Sequence, residues 1–152
     1  MYKGDADWTW LGKIMENPRI HIPIFGNGDI KTPQDAKEKK EKYGVDGIMI
    51  GRAAIGNPWI FREVKSYLKT GIIPPPPTID ERVAAVKQHI EHAMRWKGER
   101  LGVLEMRRHY SNYFKGYEGV KKFRMRLVTE DEPEAIFDIL DELADTYREW
   151  IV

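Results

Sequence analysis

The period of apolar positions changes once along this chain, near a run of four prolines. Before the prolines, short β-branched runs alternate with helical stretches. Ile20-His21-Ile22-Pro23-Ile24-Phe25 predicts a buried strand, with Pro23 placed where its missing N–H is not needed. Gly26-Asn27-Gly28-Asp29 predicts a turn. Thr32 as N-cap and Pro33 at the first helical position predict a helix through Tyr43, closed by Gly44. Val45 to Ile50 predicts a second strand, Gly51-Arg52-Ala53-Ala54-Ile55-Gly56 a second turn. Asn57-Pro58 opens a helix to about Thr70. Upstream, Trp8, Leu11 and Ile14 fit a short helix within residues 7–16, stopped by Asn17-Pro18.

Strand, glycine turn, helix, repeated twice, implies parallel strands joined by right-handed crossovers. Two apolar strands cannot close a barrel, so more sheet is expected beside them. Ile72-Ile73 and the four prolines Pro74 to Pro77 form a stiff connector. After it the pattern is helical throughout. A helix capped by Thr78 or Asp80 runs to about Lys97 with a stripe at Val83, Val86, His89/Ile90 and Ala93. Others are predicted over Leu101–Phe114, Val120–Leu127 and from Pro133, whose stripe is Ile136, Ile139/Leu140, Leu143 and Tyr147. The fold class is therefore α/β followed by an all-helical bundle. The expected domains are residues 1–71, a linker at 72–77 and residues 78–152.

Composition narrows the chemistry. The chain has 152 residues, 41% hydrophobic and 32% charged, and no cysteine. That excludes disulfide frameworks, zinc–cysteine sites, iron–sulfur clusters and a cysteine nucleophile. No apolar run has the ~18 residues of a membrane span, and no secretory signal opens the chain, so no membrane partner and a cytoplasmic location are expected. The four histidines, His21, His89, His92 and His109, offer no metal-ligand spacing, and His89 and His92 are expected as a pair on a helix surface. Net charge is +1, but unevenly spread. Residues 95–128 carry 10 Lys+Arg against 3 Asp+Glu, and residues 129–152 carry 1 against 9. Two readings stay open: a positive face for a polyanion, or two solvated helical faces that neutralise each other.

A strand that ends in a glycine turn and feeds a helix presents free backbone N–H groups, a natural phosphate cradle. Two such turns occur in successive units, at Asn27-Gly28-Asp29 and Gly51-Arg52. Arg52 adds a forked cationic donor. Asp29 would repel a phosphate, so it is expected to accept from a ligand hydroxyl or to buttress its loop. Ordinary tight turns are the alternative.

Ile24-Phe25-Gly26-Asn27-Gly28-Asp29-Ile30 and Asp46-Gly47-Ile48-Met49-Ile50-Gly51-Arg52-Ala53-Ala54-Ile55-Gly56-Asn57-Pro58-Trp59-Ile60-Phe61 resemble the last two units of the TIM (β/α)8 barrel of bacterial tRNA-dihydrouridine synthases. The likeness is to the B-type, nitrogen-regulation-like subfamily. Tyr2-Lys3-Gly4-Asp5-Ala6-Asp7-Trp8 resembles the segment before those units. Arg107-Arg108-His109-Tyr110 and Phe123-Arg124 resemble that family's C-terminal tRNA-recognition domain, more loosely. The resemblance implies FMN as cofactor, NADPH as electron source and uridine in tRNA as substrate. It assigns FMN binding to Asn27, Gly28, Asp29, Gly51 and Arg52. It also implies an upstream catalytic cysteine, earlier barrel strands, an FMN-contacting lysine and an arginine–histidine motif, none of which this chain carries. The expectation is a C-terminal portion of such an enzyme that cannot reduce uridine alone, with no catalytic residue of its own.

The basic block supplies the expected RNA face: Arg107, Arg108 and Lys115 on one helix, and Lys121, Lys122, Arg124 and Arg126 on the next. Tyr110, Tyr113, Phe114, Tyr117 and Phe123 interleave with them, either to stack bases or to fill the helical core. Two rival readings are a stand-alone RNA-binding or assembly module with a structural βα stub, and another flavin barrel related to dihydroorotate dehydrogenases. The second is weakened by the basic helical tail. Unpaired strand edges further predict self-association through the βα half, or incomplete order there.

Overall fold

The computed structural model describes residues 4–149, which fall into two compact units divided between Pro75 and Pro76. Tyr2 and Lys3, part of the opening segment singled out above, lie outside the described residues.

The first unit contains α1 (Thr9–Met15), β1 (Phe25–Asn27), α2 (Pro33–Tyr43), β2 (Gly47–Met49), a 3₁₀ turn (Arg52–Ala54) and α3 (Ile60–Thr70). α2 has the bounds its caps predict. The Thr32 hydroxyl accepts from the Asp35 amide, the Asp35 carboxylate accepts from the Thr32 amide, and Gly44 ends the helix in the left-handed region. β1 and β2 pair in parallel, Phe25 opposite Gly47 and Asn27 opposite Met49.

The first strand departs from its predicted place. Residues 20–24 are not extended into the sheet, and β1 begins at Phe25, where the predicted strand ended. The reason is the partner. The Ile24 carbonyl accepts from the Asp46 and Gly47 amides, and the Asp46 carboxylate accepts from the Ile24 amide. Pairing starts there, and Pro23 just before it has no N–H to extend the ladder. β2 is likewise shorter than the predicted 45–50.

One face of this sheet is covered. A buried cluster of Trp8, Ile30, Ala36, Val45, Ile60 and Val64 packs with Ile24, Ile48 and Ile50. Trp8 lies so close to β1 that a Cβ on Gly26 would sit 2.1 Å from its ring. The other face is bare: Phe25 is 65% exposed and Met49 57%. Parallel sheets are ordinarily covered on both faces.

The second unit contains α4 (Ile79–Lys97), α5 (Glu99–Met106), α6 (Tyr110–Tyr113), α7 (Lys121–Thr129) and α8 (Pro133–Tyr147). Thr78 and Glu81 form a capping box at the start of α4, so Thr78 rather than Asp80 is the cap. The single helix predicted over 101–114 is broken. The chain leaves α5 at Met106 and turns through Arg107-Arg108-His109, with the His109 amide donating to the Met106 carbonyl at 2.8 Å. This tight turn directs Tyr110, Tyr113 and Phe114 into the core, where Tyr117 and Phe123 join them. The interleaved aromatics therefore fill the interior and do not line the surface. Tyr147 from α8 stacks edge-on against Tyr117 and Phe123, and its hydroxyl donates to the Glu118 carbonyl at 2.6 Å. The α8 stripe Ile136, Ile139, Leu140, Leu143 and Tyr147 is buried, with the acidic residues on the outer face. Among the described residues no helix is long and apolar enough to cross a membrane.

Candidate functional site

The two glycine turns open on one cleft of about 780 Å³. Asn27, Gly28, Asp29, Gly51 and Arg52 all line it, together with Ala6, Lys31, Met49 and Ala53. The parallel pairing of β1 and β2 puts the ends of both strands side by side, so the loops that follow them converge.

The first loop is held from three directions. Gly28 has φ +125°, and a Cβ there would fall 2.3 Å from the Ala6 Cβ, so no other residue fits. Its carbonyl accepts from the Trp8 indole N–H at 3.0 Å and from Lys39 Nζ at 3.1 Å. Asp29 sits at φ +52°, a region aspartate tolerates better than most residues. One oxygen of its carboxylate accepts from the Ala6 amide at 2.7 Å, the other from the Arg52 guanidinium at 2.8 Å. Asp29 thus buttresses the loop, one of the two roles its chemistry suggested. The Ala6 amide bond chiefly holds its carboxyl below the usual range. Partial desolvation works against this, and Arg52, Lys39 and Lys31 add to it.

The second loop is more open. A Cβ on Gly51 would meet nothing within 4 Å, and the Arg52 side chain is 71% exposed. The 3₁₀ turn Arg52–Ala54 starts with N–H groups that its own carbonyls cannot satisfy. Arg52 gives one nitrogen to Asp29 and keeps further donors for a ligand. Backbone amides, a positioned guanidinium and open space suit an oxyanion.

Trp8 and Lys39 hold this site and were not legible as site residues. Trp8 read as one apolar position of a short helix. Lys39 stands in the run Lys37-Glu38-Lys39-Lys40-Glu41-Lys42, where nothing local distinguishes it. Only the fold carries its Nζ to Gly28 and over the Trp8 ring, 4.9 Å from the centroid.

In the helical unit the seven predicted cations separate into two sets. Arg107 and Arg108 stand in the turn after α5, and Lys115 follows α6, so the three do not share one helix. Arg107 donates to the Glu130 carbonyl and to the Asp131 carboxylate at 2.6 Å, which clamps the segment between α7 and α8. Arg126 pairs with Glu142 at 2.6 Å, and Arg108 approaches Glu105 at 3.8 Å. Part of the basic block is therefore neutralised by the acidic one. Lys121, Lys122 and Arg124 on α7, with Lys115, form no ion pair among the described residues, and the three lysines are exposed.

His89 is not a surface partner of His92. It is half-buried, its ring centroid 5.0 Å from that of His109, and its Nδ1 lies 3.2 Å from the Tyr113 hydroxyl. Arg108 Nε donates to His109 Nε2 at 3.3 Å. Burial lowers the pKa of both imidazoles. His109 and His92 add to the effect at His89, and Arg108 at His109, where Glu105 opposes it. A folded pKa depressed below the ordinary 6.5 means the unfolded chain binds more protons in that window. Stability is thus complete above 6.5 and lost as pH falls toward the depressed values. Urea titrations of the helical unit at stepped pH should show its midpoint falling below pH 6.5. His109→Gln should flatten that fall, and an unchanged slope would contradict the assignment.

Residues 1–146 match the family described as dihydrouridine synthase (Dus). Among curated proteins, the chain is 38% identical over 135 residues to tRNA-dihydrouridine synthase B of Pseudomonas putida, covering 89% of this chain and 40% of that protein. It is 35% identical over 148 residues to a probable tRNA-dihydrouridine synthase of Rickettsia conorii, covering 97% of this chain and 44% of that one. The chain spans less than half the length of these relatives.

Proposed function

The chain belongs to the dihydrouridine synthase family, and from that premise we propose that it carries the phosphate-holding part of an FMN site and a tRNA-gripping helical domain. The observation that carries the reading is the convergence of two glycine turns and the exposed Arg52 guanidinium on one cleft.

The residues present fit the group. The space beside Gly51 is open, Arg52 supplies a forked donor, and the Asp29 carboxylate is turned to Ala6 and Arg52. Asn27, Gly28, Asp29, Gly51 and Arg52 would hold FMN at its anionic end. When bound, the flavin supplies hydride transfer, which no protein side chain can provide. The chain's own part is to bind and orient. Trp8 and Lys39 hold the Gly28 carbonyl and Asp29 holds Arg52, and the loop amides would face the phosphate. NADPH would be the electron source and uridine in tRNA the substrate, in the cytoplasm.

In the same reading, β1 and β2 are the last two strands of a TIM barrel, residues 72–77 are a linker and residues 78–152 are the tRNA-binding domain. Arg107, Arg108, Lys115, Lys121, Lys122, Arg124 and Arg126 are its candidate RNA contacts. Lys115, Lys121, Lys122 and Arg124 are the better placed, because no carboxylate competes for them. Arg107 and Arg126 serve first as internal clamps. The bare sheet face at Phe25 and Met49 suits self-association. With no cysteine in its sequence, the chain is expected to bind both ligands without turnover.

Three measurements test this. FMN should quench on addition of the chain, and tRNA should bind with an affinity that falls steeply with salt. An NADPH-dependent dihydrouridine assay on the chain alone should show no product. Salt-dependent tRNA binding without any FMN binding would favour an RNA-binding module with a structural βα stub.

A further inference from the structure

The most exposed large apolar side chain among the described residues belongs to the helical unit, outside the cations already discussed. Trp96, near the end of α4, is 85% exposed. A single exposed apolar side chain is ordinary on a protein surface, so exposure alone does not mark a contact. Its neighbours decide. On α4, positions 89, 92 and 96 follow i, i+3, i+7 and fall on one face, beside the core stripe of Ile79, Val83, Val86 and Ile90. Of these, His92 and Trp96 are exposed, while His89 is half-buried against His109 from the turn after α5. Arg95 and Arg100 flank Trp96 along the chain around Gly98. Both are exposed, and neither forms an ion pair among the described residues. Of the nearby acids, Glu105 is taken up by Lys97 and Arg108, while Glu91 and Glu99 are exposed. Arg95, Trp96 and Arg100 lie in the segment that carries the net +7 of residues 95–128.

We propose that Trp96, with His92 beside it and Arg95 and Arg100 flanking it, is a stacking platform for an unpaired nucleobase of an RNA ligand. A flat π-face offers sequence-tolerant stacking, and adjacent guanidinium groups meet the phosphates of the same strand. Charge selects RNA as the occupant: Arg95 and Arg100 are exposed and form no ion pair among the described residues, and residues 95–128 carry net +7, which suits a polyanion. Bases in a duplex are already stacked, so the platform takes loops and single strands. The inference rests on the reading of the helical unit as an RNA binder and adds the class of structure it contacts.

The test compares the whole chain with its Trp96→Ala and Trp96→Phe variants against a short oligouridylate and a fully paired RNA duplex. Trp96 is outside the core, so both variants should keep the parent's unfolding midpoint. Trp96→Ala should bind the single strand about tenfold or more weaker, with duplex affinity unchanged. Trp96→Phe should keep most of the affinity. Indole emission should be quenched by the oligouridylate in the parent and not in Trp96→Ala. Unchanged single-strand affinity in Trp96→Ala overturns the platform. The RNA reading would still stand in that case if a Lys121→Ala, Lys122→Ala, Arg124→Ala triple variant loses tRNA. A change in sedimentation with no change in RNA affinity overturns it in favour of a protein contact. A parent chain that binds no RNA at low salt removes both readings.

Discussion

Replacing Gly102 by valine should destabilise the helical unit by about 3 kcal/mol, in the upper range for overpacked interiors. The ground is where α4 and α5 meet. A Cβ on Gly102 would stand 2.5 Å from the Met94 nitrogen and 2.7 Å from its Cα. Those are backbone atoms in the middle of a helix turn and cannot rotate away as a side-chain tip would. The two helices must separate. Separation opens the contacts of Val86, Ile90, Val103 and Met106, all buried. Helix propensity works the other way, since alanine or valine in a helix interior is favoured over glycine by less than about 1 kcal/mol. The clash therefore outweighs the propensity gain. Urea unfolding followed by far-ultraviolet circular dichroism measures the difference. Gly102→Ala should be milder and of the same sign. A variant as stable as the parent would mean the helices do not approach this closely.

The second large effect is expected at Arg52. Arg52→Ala should weaken FMN binding by about 10- to 100-fold, the worth of a charge-assisted bond to phosphate. Riboflavin, which has no phosphate, should bind both proteins alike, and this comparison separates loss of the anion contact from loss of the cleft. Arg52→Lys should recover part of the loss, because an ammonium keeps the charge but not the fork. Asp29→Ala tests a competition. Removing the carboxylate lifts its repulsion of the phosphate, which solvent and salt screen at this open site. It also frees the Arg52 guanidinium and releases the Ala6 amide, so two positioning bonds at 2.8 and 2.7 Å are lost. Loss of positioning should win, with affinity falling about tenfold. The double variant should be worse than Arg52→Ala by less than the Asp29→Ala loss, since part of the role of Asp29 runs through Arg52 and the rest through Ala6. Tighter FMN binding by Asp29→Ala would show that the carboxylate is a repeller and the buttress unimportant. Both effects read out in a flavin fluorescence titration.

These two sites differ in how much of them the sequence displays. The turn residues Asn27, Gly28, Asp29, Gly51 and Arg52 stand out because glycine after a β-branched run has a local meaning: it must turn. That they share a cleft follows from parallel pairing, which the alternating βα pattern also implies. The role of Asp29 was open until its partners were known. Ala6 and Arg52 lie 23 residues away on either side, and no spacing rule links them. The basic block shows the same limit. Its charge is countable, yet which cations are free depends on Asp131 and Glu142, carboxylates placed across from them only by the packing of α8.

What the chain determined by itself is what neighbouring residues decide among themselves. Thr32 to Gly44 and Thr78 to Gly98 carry start and stop signals within one helix length, and α8 carries its buried stripe, so these elements appear where expected. Tertiary structure decided whatever depends on a distant partner. It started β1 at Phe25, because a strand exists only opposite another. It broke the helix after Met106, because Tyr110 and Phe114 had a core to enter. It pressed Trp8 on Gly26 and Met94 on Gly102, because close packing leaves no room for a side chain there. Local free energy is read along the chain; burial is settled only when remote segments share the same volume.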